Sequence, residues 1–163
     1  MEIKVKYFSK DYPRIEKITK GDWIDLRVDN IKKTQRQSKI FDNITDTVKF
    51  NTIYYQKGDV IKFGLGVAME LPDGYEAIVA PRSSTFKHWG LIQTNGIGVI
   101  DNSYCGDNDE WCIEFIAMRD GEINRFDRVC QFRIQENQPE IAIKEVNHLG
   151  NKDRGGYGST GRK

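Results

Sequence analysis

Apolar residues in this chain recur at every second position, in short runs cut off by turn residues, and that period commits it to β-structure. Ile3, Val5 and Tyr7 alternate with lysines, and Val67, Met69 and Leu71 lead into Pro72-Asp73-Gly74. Trp111, Ile113, Phe115 and Ala117 form one face, while Cys130, Phe132 and Ile134 alternate with Gln131, Arg133 and Gln135. No window of about twelve residues carries a helical stripe, and only Arg14 to Lys20 and Phe86 to Gly90 offer single turns. At 163 residues the chain has the length of one domain. Many short strands must close on themselves or double their sheets to protect their edges, so the expected class is mostly β: a jelly roll, sandwich or barrel.

Local patterns make the expectation specific. Residues 65 to 80 read as a hairpin with a short loop, the second run being Tyr75 to Ala80. Val48 to Tyr55 is expected to pair across Lys57-Gly58-Asp59 with Val60 to Phe63, and Ile141, Ile143 and the Val146 region to supply a late strand. Lys32 to Lys39 is polar and basic and reads as an exposed loop opening an extended segment, 32–58. Residues 151–163 are glycine-rich and polar, with no means of building a packed element, and are expected to form a flexible arm after a domain at 1–150. There is no internal repeat.

Charge and composition exclude several classes. Lys and Arg number 25 against 24 Asp and Glu, a net charge of +1, so a dedicated nucleic-acid binder is not expected. No apolar run approaches membrane-span length and Met1 to Lys6 lacks that of a signal peptide, so the expected location is cytoplasmic with no membrane partner. Cys105, Cys112 and Cys130 are odd in number and widely spaced, which suggests neither a disulfide framework nor a zinc site; Cys130 reads as a buried small hydrophobe. His88 and His148 stand alone, so a catalytic base would be a carboxylate.

Three stretches carry groups suited to phosphate and nucleoside chemistry. Arg82 stands beside Ser83, Ser84 and Thr85, a guanidinium able to grip a phosphate bidentately next to hydroxyls that reach other oxygens. In Asn95-Gly96-Ile97-Gly98-Val99-Ile100-Asp101-Asn102-Ser103-Tyr104-Cys105-Gly106-Asp107, the glycines permit close approach of a flat ligand, Asp101 offers a base and Tyr104 a stacking ring. The arm joins glycine backbone, hydroxyls and Arg154 in a wrapper for phosphate oxygens. A Walker motif is excluded, because the chain ends at Arg162-Lys163 where its helix would begin.

In order along the chain, Asp25-Leu26-Arg27, Pro81-Arg82-Ser83-Ser84, Gly98-Val99-Ile100-Asp101 with Tyr104 and Gly106, Arg128-Val129-Cys130-Gln131-Phe132, and Arg154-Gly155-Gly156-Tyr157-Gly158-Ser159-Thr160-Gly161 closely resemble the five motifs of trimeric dUTPases. Gly21 to Arg27 and His148-Leu149-Gly150-Asn151 resemble the branch found in Gram-positive bacteria and their phages. The resemblance implies a jelly-roll-like (β-clip) subunit in a threefold homotrimer, with three active sites at subunit interfaces. It implies hydrolysis of dUTP to dUMP and pyrophosphate, which keeps uracil out of DNA and supplies dUMP for dTMP synthesis.

The roles it implies are specific. Asp101 would activate the attacking water, Tyr104 would pack against the deoxyribose, and backbone groups around Gly98 would read the uracil, with Asn95 near the sugar and phosphate. Arg82, Ser83, Ser84 and Gln131 would hold phosphate oxygens, and Asp25 would lie in the outer shell of Mg2+. Arg154, Ser159 and Thr160 would close from a neighbouring subunit's arm. Either Tyr157 or Trp111 would stack on the base, since the last motif is shorter here than the usual family form. One alternative shares several of the motifs, a dCTP deaminase or bifunctional deaminase and dUTPase centred on Glu114; a second is an added regulatory binding of a repressor protein through the extended Lys32 to Tyr55 segment.

Overall fold

The computed structural model describes residues 1–36, 39–40 and 48–156. In chain order its elements are β1 (Lys4–Tyr7), β2 (Ile24–Arg27), β3 (Asn30–Arg36), β4 (Lys39–Ile40), β5 (Val48–Lys49), β6 (Thr52–Tyr55), β7 (Val60–Gly64), β8 (Val67–Glu70), β9 (Tyr75–Pro81), α1 (Thr85–Trp89), β10 (Leu91–Gln93), β11 (Gly98–Ile100), β12 (Cys112–Ala117), β13 (Gly121–Asn124) and β14 (Arg128–Glu136). One sheet runs β11-β9-β14-β2; a second runs β10-β12-β7-β3-β4, with β5 also on β3. The pairs β1-β8 and β6-β13 complete the structure, and every pairing is antiparallel. Among the described residues no helix is long and apolar enough to cross a membrane.

The alternating faces meet in one core. Leu26, Val79 and Phe132 enter it from the first sheet, and Ile61, Phe63 and Phe115 from the second. Trp111, Ile113, Phe115 and Ala117 are all buried, as their spacing predicts, and so is Cys130. Phe86 to Trp89 does form a turn of helix, within α1, with Gly90 as its C-cap, whereas Arg14 to Lys20 forms none.

Four expectations about pairing fail, each for a tertiary reason. Residues 65 to 80 do not form a hairpin: β8 pairs with β1 and β9 with β14 and β11. Val67, Ala68 and Met69 are all buried, so β8 needs cover on both faces, which a two-stranded hairpin cannot supply. Residues 52–55 pair with β13 and not with β7, because the turn around Gly58 sends β7 between β12 and β3. Of the stretch read as a polar loop at 32–39, residues up to Arg36 run as strand, paired with β7 as far as Gln35, since ladder bonds use backbone groups and tolerate polar side chains; residues 37–38 lie outside the described residues. Ile141, Ile143 and Val146 belong to no strand and are exposed.

A bulge in β3 has a consequence for the core. Ile31 faces Phe63 and Lys33 faces Lys62, so Lys32 is the extra residue, and its ammonium lies 2.5 Å from Glu110 Oε2. Glu110 is 5% exposed, and its Oε1 accepts from Asn30 Nδ2 at 2.8 Å and from the Gly66 backbone N–H at 2.9 Å. One carboxylate therefore ties β3, the β7–β8 turn and the segment before β12. Glu110→Ala should lower unfolding stability by about 3 kcal/mol or more, as the loss of one partner leaves buried donors unmatched. Urea midpoints check this; a change below about 1 kcal/mol would show the carboxylate to be dispensable.

Candidate active site

The residues singled out by motif fall into two groups, one at each end of β9. The first lines an open cleft of about 630 Å³ that includes Gln93, Asn95, Gly98, Asp101, Tyr104 and Glu114. That volume suits a small organic ligand. Asp101 follows β11 directly and is exposed, with Oδ1 accepting the Ser103 N–H at 2.8 Å. Hydrogen bonds from the Ser103 hydroxyl and backbone hold its carboxyl below the usual carboxylate range, so it is an anion near neutral pH.

Tyr104 is braced from both ends: its N–H donates to the Asp101 carbonyl at 3.0 Å and its hydroxyl to the Glu110 carbonyl at 3.3 Å. Partial burial raises its pKa, so the phenol stays neutral and offers the cleft an uncharged ring. Gly98 has half-open surroundings, a Cβ there lying 3.4 Å from Val79 Cβ and 3.6 Å from Gln93 Nε2. The fold thus has room for a methyl group there. Cys112 also lines the cleft, but burial pushes its thiol pKa up, which argues against a thiolate nucleophile.

The second group is cationic. Asp25 on β2 accepts from Arg82 Nε at 2.8 Å and from Arg128 Nη1 at 3.1 Å, and Arg82 Nη1 donates to the Arg128 carbonyl at 3.2 Å. A bulge between Arg128 and Cys130 lets Asp25 face Gln131 while both arginines reach it. Gln131 Nε2 donates to the Pro81 carbonyl at 3.3 Å. The turn after β9 is pinned by Thr85, whose hydroxyl donates to the Val129 carbonyl at 2.7 Å and accepts from the Arg82 N–H at 3.0 Å. Ser83 is exposed, and Ser84 at the start of α1 makes no side-chain cap. Two guanidinium groups with nearby hydroxyls make a surface suited to a polyphosphate.

Other candidates fare differently. Trp111 is fully buried, edge-on to Phe132 at 5.4 Å, so it cannot cover a base. Arg154 is exposed, and Tyr157, Ser159 and Thr160 lie outside the described residues. Glu114 lines the Asp101 cleft, faces Lys62 in the ladder and accepts from the Thr94 hydroxyl at 3.0 Å. Two residues of these groups have no role in the sequence reading: Arg128, which lies within a motif, and Gln93, which lies in none.

An anionic carboxylate beside a ring-lined cleft, together with a guanidinium and hydroxyl surface on the same β scaffold, fits a nucleotide-binding hydrolase. A sequence profile of the dUTPase family matches residues 46–161. The SPbeta prophage-derived deoxyuridine 5'-triphosphate nucleotidohydrolase YosS of Bacillus subtilis is 47% identical over 163 residues, covering all of both chains. The deoxyuridine 5'-triphosphate nucleotidohydrolase of Anaplasma marginale is 40% identical over 98 residues, 59% of this chain and 65% of that one. Among solved structures, a Staphylococcus bacteriophage 80alpha dUTPase variant with dUpNHpp superposes with a TM-score of 0.69 at 16% identity, covering 98% of each chain. The chain belongs to the dUTPase family, a family of dUTP hydrolases.

Proposed function

We propose that the protein hydrolyses dUTP to dUMP and pyrophosphate at sites shared between subunits of a homotrimer, each site joining the Asp101 cleft of one subunit to the Arg82 surface of another. The observation that carries this reading is the separation of the two groups along β9. Ile100 pairs with Ala77 near the start of that strand, whereas Arg82 follows Pro81 at its end. Five residues of strand span about 16 Å, too far for Asp101 and Arg82 of one chain to meet at the same phosphorus. A second subunit removes the mismatch.

In this site Asp101 takes a proton from water as the water oxygen bonds to the α-phosphorus, and the bond from phosphorus to the β-phosphate oxygen breaks to release pyrophosphate. Arg82, Ser83, Ser84 and Gln131 hold phosphate oxygens, and Arg154, Ser159 and Thr160 of the arm close over them with Tyr157 on the base. Tyr104 packs against the deoxyribose. Magnesium bound to the triphosphate would offset the charge of the leaving group. Both Asp25 oxygens already face guanidinium groups, and among the described residues no three His, Cys, Asp or Glu side chains gather to hold a metal. That donor set fits an ion carried by the triphosphate and met by Asp25 through water. The cytoplasm, where free nucleotides occur, is the location this activity suits.

Complementation tests the shared site. Asp101→Asn and Arg82→Ala homotrimers should each be nearly inactive, and subunit exchange between them should restore about a quarter of the sites. Absence of recovery after verified exchange would place the whole site in one chain. Assayed with dUTP, dCTP, dTTP and UTP, the unaltered enzyme should release pyrophosphate from dUTP alone; ammonia from dCTP would instead point to Glu114 and deamination.

A further inference from the structure

Gln93 is the last residue of β10, opposite Phe115 on β12, and its side chain is 5% exposed in the wall of the Asp101 cleft. A buried carboxamide needs partners for both ends. Here only one end has any: Nε2 donates to Asn95 Oδ1 at 3.0 Å, while Oε1 is buried and takes no hydrogen bond among the described residues. An apolar side chain of the same size would fill this position at less cost, so the bond to Asn95 is the asset that distinguishes glutamine here.

That bond sets the polarity of the cleft. Asn95 is exposed and lines the cleft, and a carboxamide whose oxygen is held on one side presents its NH2 group on the other. Without Gln93 the amide of Asn95 can turn over and offer an acceptor in place of donors. Asn95 precedes β11 and Asp101 follows it, a separation of about 10 Å or more, which matches the distance from an α-phosphorus to the far edge of a pyrimidine. Asn95 thus falls at the base end of the cleft.

We propose that Gln93 is a specificity-determining positioning residue: by donating to Asn95 Oδ1 it locks Asn95 as a donor toward the base, so that the cleft accepts a pyrimidine with a carbonyl at that edge and rejects one with an amino group. The inference rests on the reading of this cleft as the nucleoside end of the dUTPase site.

The test compares dUTP and dCTP turnover by the full-length enzyme. Gln93→Glu keeps the shape but offers only acceptors, so Asn95 should turn its NH2 inward; kcat/KM for dUTP should fall about tenfold or more, chiefly through KM, and the dUTP-to-dCTP ratio should fall by a similar factor. Gln93→Met carries no buried charge and serves should the first variant fail to fold. It frees Asn95 to adopt both orientations, and the ratio should fall several-fold. A packing role alone would lower both substrates alike and leave the ratio within about twofold, which overturns the proposal. Asn95→Ala separates the two levels. If it loses the ratio while the Gln93 variants keep it, Asn95 reads the base without Gln93 and only this inference fails; if it too keeps the ratio, Asn95 does not read the base and the reading of the cleft fails with it.

Discussion

Asp101→Asn should leave folding and dUTP binding close to normal and lower kcat by about 10²- to 10⁴-fold. Asparagine keeps the Oδ1 that accepts the Ser103 N–H, so the turn leading to Tyr104 survives and the lost property is proton acceptance. The pH dependence has a definite sign. Hydrogen bonds from Ser103 lower the folded-state pKa of Asp101, so the carboxylate stays charged above the usual carboxylate pKa and is neutralised only as the pH falls through its depressed value. The acid limb of kcat/KM assigned to this group should therefore lie below the ordinary aspartate range, with no loss from this source between about pH 5 and 8. Single-turnover rates and circular dichroism of the variant separate chemistry from folding. Turnover within threefold of the unaltered enzyme would remove Asp101 from the role of base.

Truncation after Gly150 is the second large effect. Residues 137–156 form no strand, and Asn137 N–H to the Gly74 carbonyl, at 3.0 Å, lies well before the cut. Thermal stability should stay within a few degrees, because no core side chain is lost. On the proposed closure of the arm, kcat/KM for dUTP should nevertheless fall by about 10²-fold or more, since Arg154, Tyr157, Ser159 and Thr160 leave together and with them the donors and water exclusion assigned to the arm in that proposal. Steady-state kinetics beside a melting curve decides the matter. Full activity in a stable truncated protein would end the account of closure by the arm.

The two predictions rest on different kinds of knowledge. Asp101 was legible as a candidate because its surroundings are near neighbours in the chain: the apolar run of β11 before it, Ser103 and Tyr104 after it. Arg82, Ser83 and Ser84 were legible as candidates for the same reason, since they are consecutive in the chain. Glu110 and Gln93 were not. Their partners, Asn30, Lys32 and Gly66 for the one and the orientation of Asn95 for the other, matter only once distant strands or a turn have brought the groups together. Trp111 shows the reverse error: an aromatic beside a motif invites a ligand role, but its place on the same face as Ile113 and Phe115 sends it into the core against Phe132.

Strand pairing marks the boundary most clearly. Alternation at 67–71 and 75–80 identified both strands, and the turn at Pro72-Asp73-Gly74 is present, yet the strands part to join different sheets. A period of two states which side chains share a face but not which neighbour takes the backbone hydrogen bonds. The sequence by itself determined the β class, most of the buried face of each strand and the ordered motifs that mark the family, because these follow from local spacing and residue chemistry. Only the tertiary structure decided the sheet partners, the buried Glu110 junction, the amide of Asn95 and the separation of Asp101 from Arg82 along β9. Each of these depends on which distant segments compete for the same backbone groups and the same apolar cover, and that competition is resolved only when the whole chain packs.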